Sequence, residues 1–506
     1  LAPSATAITF ETGNPDLKVA WDNTFTYSVA YRLNDQEDDL ISDPNMDDGN
    51  RNFDQGLVMN RLDLFSELDV IYKRFGIRLS GAGWYDQVYN ESNDNDSDST
   101  VNHVTTDHTE FSDDTAELHG QYAELLDAFT FGSTYLGNMK FSYRAGQFAQ
   151  WWGESFFFGG NGVAAGLAPV DLPKVGTMPN AQGKEMIIPV PQVSTTLQMT
   201  SDLELGGYYQ LAWRPGRWFG YGSYFAFVDL IGTAEPEYIN AGPDKIYRVD
   251  NLDARDDGQY GVKLKYTTPK GTDLGLYYLN YHWKEIGGDN VVVNGPAQEY
   301  SLFFPEDIKL YGVSANTAVG IWTIGAEVTY RENTLLAAEP ESIGVGSWDQ
   351  DVEAPMGNTM HYNLNFFMPG LPANFFSDTA DFIFEIGCNT LEEVTENRDL
   401  LYSEADRFAW EMKAVYTPKW NQVLPGLTLT MPMGFTYVGP HLTSAANSFF
   451  PYRDGGDFNI GVGGTYLNVW DFELSYRGFH GSNGAPDTGN PWTDREYVSF
   501  FIRRAF

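Results

Sequence analysis

Hydrophobic and polar residues alternate with a period of two along most of this chain. Between Val469 and Arg477, Trp470, Phe472, Leu474 and Tyr476 share one face, and Asp471, Glu473, Ser475 and Arg477 share the other. That period places successive side chains on opposite faces of a β-strand. Val58 to Lys73 repeats it: Leu62, Leu64, Leu68, Val70 and Tyr72 oppose Arg61, Asp63, Glu67, Asp69 and Lys73. So does Gln259 to Thr268, where Tyr260, Val262, Leu264 and Tyr266 oppose Lys263 and Lys265. In Leu274 to Lys284, Tyr277, Leu279, Tyr281 and Trp283 oppose Asn280, His282 and Lys284. Tight turns such as Arg74-Phe-Gly76, Gly137-Asn138 and Pro269-Lys-Gly271 alternate with long connections. The pattern predicts about eighteen strands paired as hairpins, with about sixteen as the alternative count.

Helical stripes are nearly absent, and no run of about 18 apolar residues offers a membrane-spanning helix. A soluble propeller or sandwich also alternates. Against it stand aromatics clustered at strand ends, the lack of a blade-length repeat and full charges on the polar faces. The expected fold is all-β: a transmembrane antiparallel outer-membrane β-barrel over residues 17–506, after a periplasmic lead-in over residues 1–16. Short turns and both termini are expected on the periplasmic side, and long acidic loops outside. Val498, Phe500, Ile502 and Phe506 share one face of the closing strand, which resembles the terminal-Phe signal of Gram-negative outer-membrane proteins. Arg504 is expected to snorkel into the headgroups. Leu1 to Ala7 resembles the tail of a secretory signal, which implies export.

Composition sharpens this. Of 506 residues 42% are hydrophobic and 15% aromatic, and the formal charge is -38. Such acidity suits a solvated, aggregation-resistant surface, or divalent-cation bridging to lipopolysaccharide at the outer rim. It argues against nucleic acid, which needs clustered positive charge. One cysteine, Cys388, excludes an internal disulfide. Asp43, Asn45, Asp47 and Asp48 with Gly49 suggest a calcium loop, but the glycine comes one place late and the bidentate Glu has no counterpart. No metal site is expected, and no cofactor. Neither a Gly-x-Ser-x-Gly elbow nor a His-Glu-x-x-His helix is present, so an enzyme is not expected. His282 reads as a lumen residue.

A barrel of this size leaves an open lumen unless something fills it. The candidate is the insertion Trp152 to Pro191, which is rich in aromatic residues, Gly and Pro, with few charges. A loop this apolar is a liability outside, so it is expected to fold inward as a plug or constriction. Trp151, Trp152, Phe156, Phe157 and Phe158 then line a ligand path for hydrophobic molecules. Arg61, Arg78, Lys140 and Arg144 are the expected lumen charges; pairing with Asp63, Glu67 and Asp69 is favoured over a ligand headgroup. The aromatic stretch Trp213 to Tyr221 is expected at the membrane interface as a girdle.

Several stretches together resemble one Gram-negative outer-membrane family, domain of unknown function 1302 (DUF1302). They are LKVAWDNTFTYSVAYRL from Leu17, Asp48 to Leu57, Ala123 to Phe129, Trp152-Gly-Glu-Ser155 with Ala168-Pro-Val-Asp171, Pro189-Val-Pro191 and Pro305 to Gly312. Gln147 stands where the family pattern has an arginine. The resemblance implies an outer-membrane barrel working with a periplasmic partner protein and an inner-membrane transporter of the resistance-nodulation-division (RND) type. It implies a route for hydrophobic small molecules or lipids; a general diffusion porin for polar solutes and a structural or adhesive barrel are the alternatives.

Overall fold

The computed structural model describes residues 8–177, 183–287, 290–338, 343–345, 347–348, 350–373, 376–442, 445, 453–486 and 488–506. The lead-in's first seven residues, with the expected signal remnant, lie outside these. Among the described residues eighteen antiparallel strands join edge to edge and close into a barrel. The first hairpins are built from β1 (Leu17–Arg32), β2 (Leu57–Tyr72), β3 (Phe75–Asp86), β4 (Gln121–Leu136) and β5 (Met139–Phe148). After the insertion come β6 (Val190–Gln198), β7 (Leu203–Gln210), β8 (Tyr260–Thr267) and β9 (Asp273–Tyr281). Next are β10 (Ile308–Val319), β11 (Trp322–Leu335), β12 (Met356–Leu371), β13 (Thr379–Glu396) and β14 (Phe408–Leu424). The ring ends with β15 (Leu427–Thr430, resumed at Met433–Val438), β16 (Gly456–Tyr466), β17 (Trp470–His480) and β18 (Tyr497–Ala505).

β18 pairs with β1 from Ala505 opposite Thr24 to Tyr497 opposite Arg32. The short strand Ile8–Phe10 continues beyond it, against Val19 to Trp21. The edge of β1 is thus covered past the end of β18, as a bilayer requires of backbone groups that water cannot reach. Short turns join β2 to β3 and β4 to β5 at the end that carries Leu17 and Ala505; the long loops occupy the other end.

The outward face is apolar: Leu62, Leu64, Ile77, Leu79, Leu274, Leu276 and Leu474 all expose their side chains. On the other face of the same wall Arg61, Asp63, Glu327, Asn363 and Glu385 are buried. Apolar outside and polar inside is the pattern of a barrel solvated by lipid. At the closing strand Arg504 lies over the rings of Trp470 (5.0 Å) and Phe506 (5.9 Å), outside the barrel as expected. The protein is an outer-membrane β-barrel.

The rule has exceptions. In β9 the aromatic face does not meet lipid. Tyr277 packs on Trp152 (6.2 Å between centroids), and Leu279 and Tyr281 are buried against the insertion. Apolar side chains point inward here because the inserted segment, rather than water, covers them. His282 is likewise not a lumen residue. It stands just beyond β9, where its ring bridges the Asp257 carbonyl (2.7 Å) and the Asp307 N–H (3.0 Å), clamping two loops.

The outer mouth is filled by folded loops in two apolar cores. One gathers Trp213, Ile231, Trp283, Phe304 and Leu335 around Trp152 and Leu167 of the insertion. The other gathers Phe53, Tyr89, Phe219, Tyr224, Phe225 and Trp492 from four loops. This corrects the expected girdle at Trp213 to Tyr221: Trp213, Phe219 and Tyr221 are buried, and the Trp213 indole N–H donates to the Trp283 carbonyl (2.9 Å). The stretch turns inward because its rings find a larger apolar surface in the mouth than at the headgroups. Burial there holds the His119 imidazole at about 3, so it stays neutral and Nε2 accepts the Gly220 N–H (3.0 Å).

Candidate functional site: the inserted segment and the lumen wall

The insertion leaves β5 at Phe148 and runs along the inner wall. Trp152, 5% exposed, packs on Tyr208 of β7 (5.2 Å) and Tyr277 of β9, with the Lys263 ammonium 5.5 Å from its ring. Glu154 accepts from Asn316 of β10 (2.7 Å), and its carbonyl accepts from Asn365 of β12 (2.7 Å). Ser155 Oγ (2.7 Å) and the Phe156 (2.9 Å) and Phe157 (2.6 Å) N–H groups all donate to Glu385 of β13. The Phe157 ring lies 5.3 Å from the Lys413 ammonium of β14. From β5 to β14 is nine of eighteen positions, so the segment lines half the inner circumference.

It then doubles back. Gly160 and Gly162 carbonyls accept from Arg331 of β11 (2.8 and 3.0 Å), and Glu327 of the same strand accepts the Ser155 N–H (3.0 Å). Asn161 is held by Asn363 (2.6 Å) and His361 (2.8 Å) of β12. Glycine is needed where this backbone meets the wall: Gly153 has φ +98°, and a Cβ there would stand 2.5 Å from Glu327. A charged acceptor that faces several N–H groups binds the chain more firmly than neutral contacts do.

The second half is tied to the mouth by charge. Arg217, from the loop after β7, pairs with Asp171 (2.8 Å) and with Glu124 of β4 (2.6 Å). Lys174 contacts the same Glu124 and lies 4.9 Å from the Trp84 ring. No sequence pattern joins these four groups, which lie scattered between residues 124 and 217.

Of the five candidate aromatic residues, Trp152 and Phe158 are buried against the wall. Trp151 and Phe156 keep 44% and 46% of their surface accessible, and Phe156 meets the inward ring of Phe367 (6.0 Å). Of the four candidate charges, Arg61 pairs with Asp63 (2.8 Å) under the Trp84 ring, and Arg78 pairs with Asp69 (2.6 Å). Arg144 lies 5.8 Å from the Phe129 and Phe148 rings, and Lys140 is exposed. The structure does not bring the four together. Gln147 accepts from Arg214 (3.0 Å).

Among curated proteins none matches the chain. Among solved structures, OccAB4 of Acinetobacter baumannii is similar over 96% of this chain and 98% of its own, at 9% identity and TM-score 0.45. The BenF-like porin from Pseudomonas fluorescens Pf-5 is similar over 97% and 98%, at 10% identity and TM-score 0.44. OpdK of Pseudomonas aeruginosa with vanillate is similar over 96% and 98%, at 10% identity and TM-score 0.43. The family model described as "Protein of unknown function (DUF1302)" matches residues 1–506, and the chain belongs to that family.

Proposed function

We propose that the barrel passes hydrophobic small molecules or lipids across the outer membrane, through a lumen narrowed by the inserted segment. One observation carries the reading: Trp151 and Phe156 present large apolar surfaces inside the barrel, beside a wall of Asn, Glu and Arg side chains. Exposed rings in a polar channel gain by covering apolar area, at about 25 cal/mol per Å². A polar solute gains nothing from them. The cations Lys140 and Arg144 could meet an acidic group on such a molecule. Loops packed in two apolar cores at the mouth would move during passage, which suits delivery by or to a periplasmic partner and an RND-type transporter better than free diffusion.

The test is a fluorescence titration of the purified barrel with 1-N-phenylnaphthylamine, a neutral apolar probe. Saturable enhancement is expected, with affinity lowered about 10-fold by the loss of one large ring in Phe156→Ser, on the order of 1.4 kcal/mol. Equal titrations of the two proteins in the same detergent would remove Phe156 from the path.

A further inference from the structure

Three carboxylates from two loops meet in the outer mouth. Asp47 and Asp48 open a short helical turn, Asp48–Arg51, in the loop between β1 and β2; Asp229 comes from the loop between β7 and β8. All three are buried, and one oxygen of each lies within 4.8 Å of the others. The Asp48 N–H donates to Asp229 Oδ2 (3.0 Å), while Asp229 Oδ1, on a fully buried side chain, has no partner. Asp47 Oδ1 is buried and unpartnered too. Beside them Asn102, whose N–H donates to Asp48 (3.3 Å), leaves its own Oδ1 buried without a partner.

Nearby positive charge does not balance the cluster. Arg51 pairs with Asp47 (2.5 Å) but is shared with Asp96 (2.9 Å), and Arg495 lies further from Asp229. Asp48 is further occupied by Asn95 (3.0 Å) and by the Tyr221 hydroxyl. A buried, unpaired carboxylate is costly, and it is relieved by a proton or by a metal ion.

We propose that Asp47, Asp48 and Asp229 form a Ca²⁺ site that fastens the loop 33–56 to the loop 211–259 across the mouth. Calcium takes oxygen ligands at about 2.3–2.6 Å, so ligands on opposite sides of the ion stand about 4.8 Å apart; Mg²⁺, at about 2.0–2.1 Å, demands a tighter cage. The unpartnered Asp47 and Asp229 oxygens supply lone pairs from both loops, and a divalent ion neutralises charge that Arg51 alone does not.

The experiment uses the full chain in detergent, stripped with chelator and titrated with Ca²⁺ or Mg²⁺ by calorimetry, with thermal unfolding followed by tryptophan fluorescence. The expected result is one saturable Ca²⁺ equivalent and a raised Tm, with Mg²⁺ weaker. In Asp229→Asn the affinity falls at least about 10-fold, as losses around metal ligands do. Asp98→Asn, at an exposed acidic position on a neighbouring loop, keeps it. In chelator Asp229→Asn unfolds at or above the wild-type Tm, because a buried charge is gone. Should that variant give no folded barrel, Asp48→Asn repeats the comparison. Equal binding by wild type and Asp229→Asn, or no saturable equivalent, overturns the site; an equal response to Mg²⁺ overturns the ion.

Discussion

Deleting residues 156–176 is expected to turn a nearly silent barrel into one with a steady, large current in a planar bilayer in molar salt. Barrels of about 16–18 strands leave an aqueous channel when nothing fills them. The deleted stretch holds Phe156, Phe157 and Phe158, the Gly160 and Gly162 carbonyls bound by Arg331, and the Val163 and Leu167 side chains of one mouth core. It also holds Asp171 and Lys174, which fasten the loop carrying Arg217. Constriction and loop anchor therefore go together, while the wall strands keep every backbone pair. Silence in the deleted protein, with its barrel folded, would show that the mouth loops close the pore by themselves.

Replacing Glu385 by Ala is expected to free the same segment without removing it. Three donors converge on this fully buried carboxylate: Ser155 Oγ and the Phe156 and Phe157 N–H groups. An orphaned buried donor costs about 1–3 kcal/mol. Water in the lumen can take up part of that for Phe156, which is half exposed. The loss for the segment's attachment is therefore set at about 3 kcal/mol, the lower end for three unmatched donors. Single-channel recordings should show bursts between closed and open levels, and thermal unfolding in detergent should begin earlier. Glu385→Gln keeps two acceptor lone pairs in place and should fall between the two. Unchanged, silent recordings from Glu385→Ala would place the segment's anchorage elsewhere.

Much of the wall was legible because a strand's faces are written two residues apart. Leu62 and Leu64 against Arg61 and Asp63 determine which side meets lipid without knowledge of any neighbour. The pairing of Arg78 with Asp69 was legible for the same reason, since the two stand opposite each other across one tight hairpin. The aromatic stretch Trp213 to Tyr221 was misread because composition does not separate a ring bound for the headgroups from one bound for a loop core. In β9 the face assignment failed where Tyr277, Leu279 and Tyr281 meet an apolar segment inside the barrel. Asp229 lies 181 residues from Asp48, and no local pattern links them. Glu385 and Glu327 carry no local signal of their role, which depends on N–H groups of the insertion 229 and 172 residues away.

The claim that this barrel conducts hydrophobic rather than polar solutes is tested most directly in intact Gram-negative cells. Entry of 1-N-phenylnaphthylamine would be compared with entry of a hydrophilic cephalosporin, with and without the full-length protein in the outer membrane. Faster entry of the apolar probe with unchanged entry of the cephalosporin is the predicted result. Faster entry of the cephalosporin with no change for the probe would contradict it and make the protein a general diffusion porin.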